Sequence, residues 1–143
     1  STNAADYESF MKINKPKYDD SWERWNKTLD MLKHLNTRTV LRITLIKDYN
    51  DQRESIPAFA EMFRKASPHF IEIKSYMHIG RSTNRLEHEN MLEMDEVKNF
   101  SEEIAKQSKI FSIMDESIIS RISILQNNER FIDRFISTYA NTI

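Results

Sequence analysis

Trp22, Trp25, Leu29 and Leu32 recur at intervals of three and four, so residues 20–36 predict an amphipathic helix with one apolar face. Asp20 or Ser21 stands where a cap is needed. The period then changes. Thr39 to Ile46 alternates apolar and polar side chains and is rich in β-branched residues, the pattern of a strand. Residues 53–66 return to helical spacing through Ile56, Phe59, Ala60 and Phe63, with Pro57 confined to the first turn. Residues 70–75 predict a second strand, 76–90 a long loop, and 95–107 a helix turning Val97, Phe100 and Ile104 inward. Phe111 to Met114 and Ile118 to Leu125 predict two more strands around a turn at Asp115, Glu116 and Ser117. A short helix is expected over 5–14, stopped before Pro16, and a last one over 127–139 with Phe131, Phe135 and Tyr139 on one side. Strands alternating with helices imply an α/β fold with βαβ units, a mainly parallel sheet and helices on one face.

The strands carry the question. In the first, Leu41, Ile43 and Leu45 point one way and Arg42 and Thr44 the other. In the second, Ile71 and Ile73 oppose Glu72 and Lys74; in the last, Ile122 and Ile124 oppose Arg121 and Ser123. Each strand is thus expected to have an aliphatic face for the helices and a polar face. A doubly wound sheet is apolar on both faces, and a lone buried charge costs several kcal/mol. Two arrangements accommodate the polar face: it is open to water in a two-layer sandwich, or it lines a partial barrel that holds a polar ligand. The loop beyond the second strand, with Tyr76, His78, Arg81, Ser82, Asn84 and Arg85, lies where α/β folds bind ligands, outside the carboxyl ends of strands.

Composition narrows the chemistry. The 143 residues are 39% hydrophobic and 30% charged, sufficient for a single domain over 1–143. Net charge is −1, so any basic site is local. Lys12, Lys15 and Lys17 form one such group, read as a solvated surface, and the loop arginines another. With no cysteine there is no disulfide framework and no thiolate-held metal or cluster from this chain. His34, His69, His78 and His88 have no metal-binding spacing, and no metal is assigned. The single glycine, Gly80, excludes a glycine-rich phosphate loop and marks a turn of positive φ. No apolar run approaches the ~20 residues of a membrane helix.

Several stretches together carry a resemblance. "IEIKSYMHIGRSTNRLEHENM" followed by "DEVKNFSEEIA" resembles the radical S-adenosylmethionine enzymes that build the wyosine base of tRNA, the 4-demethylwyosine synthases. "STNAADYESFMKINKP", "RTVLRITLIKDYN" and "IFSIMDESIISRISIL" resemble other segments of that family in the same order, so the similarity covers essentially the whole chain. Asn3, Asp48 and Asp95 depart from the family's usual Asp, Gly and His.

The resemblance implies a partial radical-enzyme (βα) barrel, with a family-specific wyosine-formation region over 91–143. It implies S-adenosylmethionine, a 4Fe-4S cluster, pyruvate, an electron donor and tRNA bearing N1-methylguanosine beside the anticodon, in the cytoplasm and away from membranes. The chain lacks the family's cysteine motif and starts without Met, at residues matching the end of a middle barrel strand. It is therefore expected to be the C-terminal portion of a longer enzyme, inactive alone and open to dimerisation through an exposed sheet edge. By resemblance, Ser1, Asn3, Arg42, Thr44 and Lys74 are expected at the cofactor, and Glu72, Tyr76, Arg81, Arg85 and Arg121 at substrate or tRNA. An ion pair of Glu72 with Arg42 or Arg121 is the competing expectation, and a non-catalytic RNA-binding or interaction module is the alternative function.

Overall fold

Val40–Leu45 (β1) and Phe70–Ser75 (β2) lie side by side in parallel, in register from Val40 against Phe70 to Leu45 against Ser75. Their alternation is the expected one. Leu41, Ile43, Leu45, Ile71 and Ile73 are buried, whereas Arg42 is exposed and Thr44, Glu72 and Lys74 are half-buried. The computed structural model describes residues 1–135 of the chain. A parallel pair needs a crossover, and Ile56–Ala66 (α3) supplies it. Pro57 occupies the first turn of α3, where its missing N–H costs nothing, and a left-handed Ser67 ends the helix. Ser21–Leu32 (α2) and Met94–Ser108 (α4) pack on either side of α3. Tyr7–Asn14 (α1) is capped by Asp6, whose carboxylate accepts the Ser9 N–H, and ends at a left-handed Lys15 before Pro16. Glu93 and Glu96 form a reciprocal capping box at the start of α4.

The core lies between the helices and one face of the sheet. Phe59, Phe63, Val97, Phe100 and Ile104 meet Ile43, Ile71, Ile73 and Leu125 there. Burying each such side chain contributes roughly 1.5–3 kcal/mol.

The rest of the sheet departs from expectation. Phe111–Ser117 (β3) and Ile122–Asn127 (β4) form an antiparallel hairpin, and β4 also runs antiparallel to β2, giving a mixed sheet in the order β1-β2-β4-β3. Two of the three strand pairings are therefore antiparallel, and the sheet is not mainly parallel. The turn falls at residues 118–121 instead of Asp115 to Ser117, which pair with Ile124, Ser123 and Ile122. Charge reads as a turn, but among the described residues β3 is flanked only by β4, and an edge strand carries charge without penalty. The two faces of β4 are also inverted. Ile122 and Ile124 stand opposite Lys74 and Glu72 on the polar face, while Ser123, Leu125 and Asn127 are buried on the helix side.

The expected helix over 127–139 does not form over 127–135; Tyr139 lies outside the described residues. Asn127 ends β4, donating from Nδ2 to Ser67 Oγ and the Pro68 carbonyl at 3.0 Å each. Arg130 donates to the Ser67 carbonyl, and Arg38 to the Asp133 and Phe135 carbonyls. These long-range hydrogen bonds hold the segment extended at the amino-terminal end of the sheet.

Candidate functional site

On the face away from the helices, cross-strand pairing places Arg42 beside Glu72 and Thr44 beside Lys74. The N-terminal residues extend this face. Thr2 is bridged in parallel to Ile43, its N–H donating to the Arg42 carbonyl at 2.7 Å. Thr2 is buried toward the helices, so alternation turns its neighbours Ser1 and Asn3 to the polar side. Ser1 is exposed and Asn3 half-buried.

Arg42 grips Glu72 with two parallel hydrogen bonds, Nε to Oε1 at 2.8 Å and Nη2 to Oε2 at 2.9 Å. The hydrogen bond that Arg42 donates to Glu72, followed by the carboxylate's charge, raises the Arg42 pKa. The fork expected to meet a ligand carboxylate is thus held by a carboxylate of the protein. Lys74 differs: among the described residues no carboxylate lies within ion-pair distance of it. Arg121 is not on this face. It adopts a left-handed φ of 49° just before β4 and turns toward α4, donating to the Leu92 carbonyl at 3.1 Å and pairing with Glu93 at 3.1 Å. The hollow is therefore shaped by β1, β2 and the N-terminal residues, with Ile122 and Ile124 as its apolar flank, and not by three polar strands.

Beyond the carboxyl ends of β1 and β2 the surface opens into a concavity of about 320 Å³. Asn3, Thr44, Lys74, Tyr76, Ser82 and Arg85 are among its lining residues. The loop above it is held by its own short bonds: Ser82 donates to the Ile79 carbonyl and Thr83 to that of Gly80, within a 3-10 turn over Gly80–Asn84. Gly80 has φ +65° with open space around it, so backbone conformation alone accounts for the glycine. Tyr76 is 5% exposed, and its hydroxyl lies 3.1 Å from His78 Nδ1. Its ring is part of the wall and not a free stacking surface. Arg81 and Arg85 are exposed on the same loop.

Three polar side chains that the sequence reading passed over fix this arrangement. Asn50 is buried; its Oδ1 accepts the Ile46 N–H at 2.7 Å, and its Nδ2 donates to the Asn3 and Thr44 carbonyls at 2.8 and 2.9 Å. One side chain thus joins the N-terminal segment to the end of β1. Ser75, wholly buried, accepts the Leu92 N–H at 2.8 Å and ties the end of β2 to the approach of α4. Asn90 donates to the Lys47 carbonyl, while the Lys47 N–H donates to the Asn90 carbonyl. Lys47 Nζ reaches Glu96 at 2.7 Å. Partial burial pushes the Glu96 carboxyl up, but the Lys47 ammonium and the Glu93 N–H outweigh it and hold it below the ordinary value. The available signal was an Asn five residues past the end of β1, where its side chain replaces a missing backbone partner.

A face combining a hydroxyl, an amide and an ammonium beneath a loop with two arginines suits a polar, partly anionic ligand. Among the described residues, no group of three or more His, Cys, Asp or Glu converges on a metal position.

Comparison with known proteins agrees with the resemblance. The family described as wyosine base formation matches residues 65–127. The chain is 41% identical over 135 residues to the S-adenosyl-L-methionine-dependent tRNA 4-demethylwyosine synthase of Methanocaldococcus jannaschii, a match covering 93% of the chain and 41% of that enzyme. With the enzyme of the same name from Pyrococcus abyssi, identity is 36% over 129 residues, covering 90% and 37%. A solved structure of TYW1 with a lysine-pyruvate adduct bound superposes with TM-score 0.81 at 39% identity, covering 92% of the chain and 40% of that structure. The chain thus spans about two fifths of the length of these archaeal relatives.

Proposed function

We infer, from the chain's homology to part of the tRNA 4-demethylwyosine synthases, that it serves a radical S-adenosylmethionine enzyme of tRNA wyosine formation. In this reading the enzyme joins N1-methylguanosine of tRNA to a two-carbon unit drawn from pyruvate. It is a lyase of the cytoplasm, supplied by an electron donor. The chain acts as one unit over 1–143, is inactive alone, and pairs with a second copy if its sheet edge is left open.

The observation that carries this reading is the juxtaposition of Asn3, Thr44 and Lys74 under Arg85 at the carboxyl ends of β1 and β2. These donors fit S-adenosylmethionine, which presents a carboxylate, an ammonium, ribose hydroxyls and an adenine. Bound there, it would supply the 5′-deoxyadenosyl radical. Lys74 offers a charge for the carboxylate, and Thr44 and Asn3 offer hydrogen bonds for the ammonium or ribose. Arg42 acts through Glu72, holding that carboxylate in place with its two hydrogen bonds. Ser1 continues the same row. Arg81 and Arg85 face the incoming RNA, while Tyr76 closes the wall and excludes water. Arg121 orients the start of α4. The chain's residues do not fit a 4Fe-4S cluster, because no cysteine is present to hold one.

The test is a chimera. The aligned portion of the M. jannaschii enzyme is replaced by this chain, and nucleosides of the reacted tRNA are analysed by mass spectrometry. Product should form, and Lys74→Ala should reduce it at least tenfold. A soluble, cluster-loaded chimera that yields no product overturns the reading.

A further inference from the structure

Three cations that the sequence divides between distant segments meet around one cleft. Lys12 lies in the last turn of α1 and Lys15 is its left-handed C-cap, whereas Arg85 follows the 3-10 turn after β2. With Asn3, Ile46 and Tyr49 they line a cleft of about 130 Å³. Among the described residues, no carboxylate lines it. Among the described residues, none of the three has an ion-pair partner within 4.0 Å. The Lys12 ammonium rests 5.8 Å from the centroid of the Tyr49 ring.

Nearby cations are compensated: Arg42 by Glu72, Lys47 by Glu96, Arg121 by Glu93. A net charge of −1 rules out general basicity as the reason for the cluster. Lysines at a helix C-terminus favour the helix dipole, which accounts for Lys12 and Lys15. It does not account for Arg85 joining them from another part of the chain. Like charges gathered in a half-enclosed cleft repel, and a bound anion removes that repulsion. Two ammonium groups and one guanidinium fork match a tetrahedral oxyanion. The cleft has room for a phosphate group but not for a nucleoside.

Its position selects among phosphates. Asn3, Ile46, Arg85 and Leu86 line both the cleft and the larger concavity, so the two adjoin. We propose that the Lys12, Lys15 and Arg85 cleft binds a backbone phosphodiester of an RNA strand whose neighbouring nucleotide enters the concavity. This rests on the functional reading above and adds the point at which the strand is anchored. Arg85 belongs to both cavities, so it couples phosphate capture to the placement of the nucleotide.

The experiment measures binding of a fluorescently labelled anticodon stem-loop RNA to the chain by anisotropy across a salt series. The Lys12→Ala, Lys15→Ala, Arg85→Ala variant should bind at least tenfold more weakly, with the slope of log K against log salt shallower by about one to two. A charge-matched variant at Lys27, Lys33 and Lys106, all exposed and none lining the cleft, should stay within twofold of the unaltered chain. Lys12→Arg with Lys15→Arg should retain most of the affinity. Circular dichroism checks that each variant is folded. An unchanged slope in the cleft variant, or an equal loss in the charge-matched one, overturns the assignment. So does displacement of the RNA by micromolar inorganic phosphate, which would make the cleft a small-anion site. If the unaltered chain binds no RNA, the cleft assignment fails, while product from the chimera would leave the functional reading standing.

Discussion

Leu41, Ile43, Ile71 and Ile73 look into the helices; Arg42, Thr44, Glu72 and Lys74, one residue along the same strands, look away from them. On the first face position hardly matters to chemistry, because any aliphatic side chain of suitable volume excludes water. On the second, each group answers to its cross-strand neighbour. Arg42 and Glu72 satisfy one another, whereas Lys74 stands beside a threonine and keeps its charge available. The same backbone therefore supports a face that supplies stability and a face that presents polar groups, divided only by side-chain alternation.

The sharpest test of that division is a pair of equal truncations. Ile73→Ala, on the covered face, should destabilise by about 2–5 kcal/mol in urea unfolding, because it leaves a cavity in a packed core. Ile124→Ala, half-buried on the other face, should cost about 1 kcal/mol. Equal costs would mean that both faces are covered.

A second test uses pH at the polar end of the covered face. Burial, and then the charges of Arg130 and Arg38, lower the His69 pKa below its ordinary value of 6.5. Its Nδ1 accepts the Thr39 N–H at 3.1 Å and has no room for a proton. The unfolded chain takes up that proton more readily than the folded one. This contribution to stability is thus complete above about pH 6.5 and is lost as pH falls from there toward the lowered folded value. Urea unfolding between pH 5 and 7.5 should show a slope of at most about 1.4 kcal/mol per pH unit, reduced in His69→Gln. A slope that His69→Gln leaves unchanged would place His69 in solvent.

The smallest effect belongs to the Arg42–Glu72 pair, whose arginine is half exposed. A double-mutant cycle with Arg42→Met and Glu72→Gln should give a coupling of about 0.5–1 kcal/mol that shrinks in high salt. A larger, salt-insensitive coupling would show that the pair is shielded from water.

The division of faces was legible in β1 and β2 because alternation and burial agree there. It was not legible in β4. Treating Ile122 and Ile124 as core follows hydrophobicity, but pairing to β2 sets which side each residue takes, and a shift of one residue exchanges the faces. The turn at 118–121 followed the same logic: Ile118 and Ile119, 75% and 95% exposed, read as strand, and the charged Asp115 and Glu116 read as turn. The expected helix after Asn127 has suitable spacing through Phe131 and Phe135, yet the Asn127 and Arg130 side chains bond to Pro68 and Ser67 and Arg38 claims the Asp133 and Phe135 carbonyls, all some 60 to 100 residues away in sequence. In the site, Thr44 and Lys74 followed from alternation. Asn50 did not, because its partners at Asn3 and Thr44 become neighbours only after folding. The convergence of Arg85 with Lys12 and Lys15 was hidden for the same reason.

Because β4 runs against β2, the chain leaves the sheet at the rim opposite the one where Lys74 and Arg85 stand. Six residues of β2 separate the two rims, about 20 Å of extended backbone. At that separation perturbations are expected to be independent. The knot of contacts around Asn127 and the rim that carries Lys74 and Arg85 can therefore be altered together, with the double change equalling the sum of the two single ones.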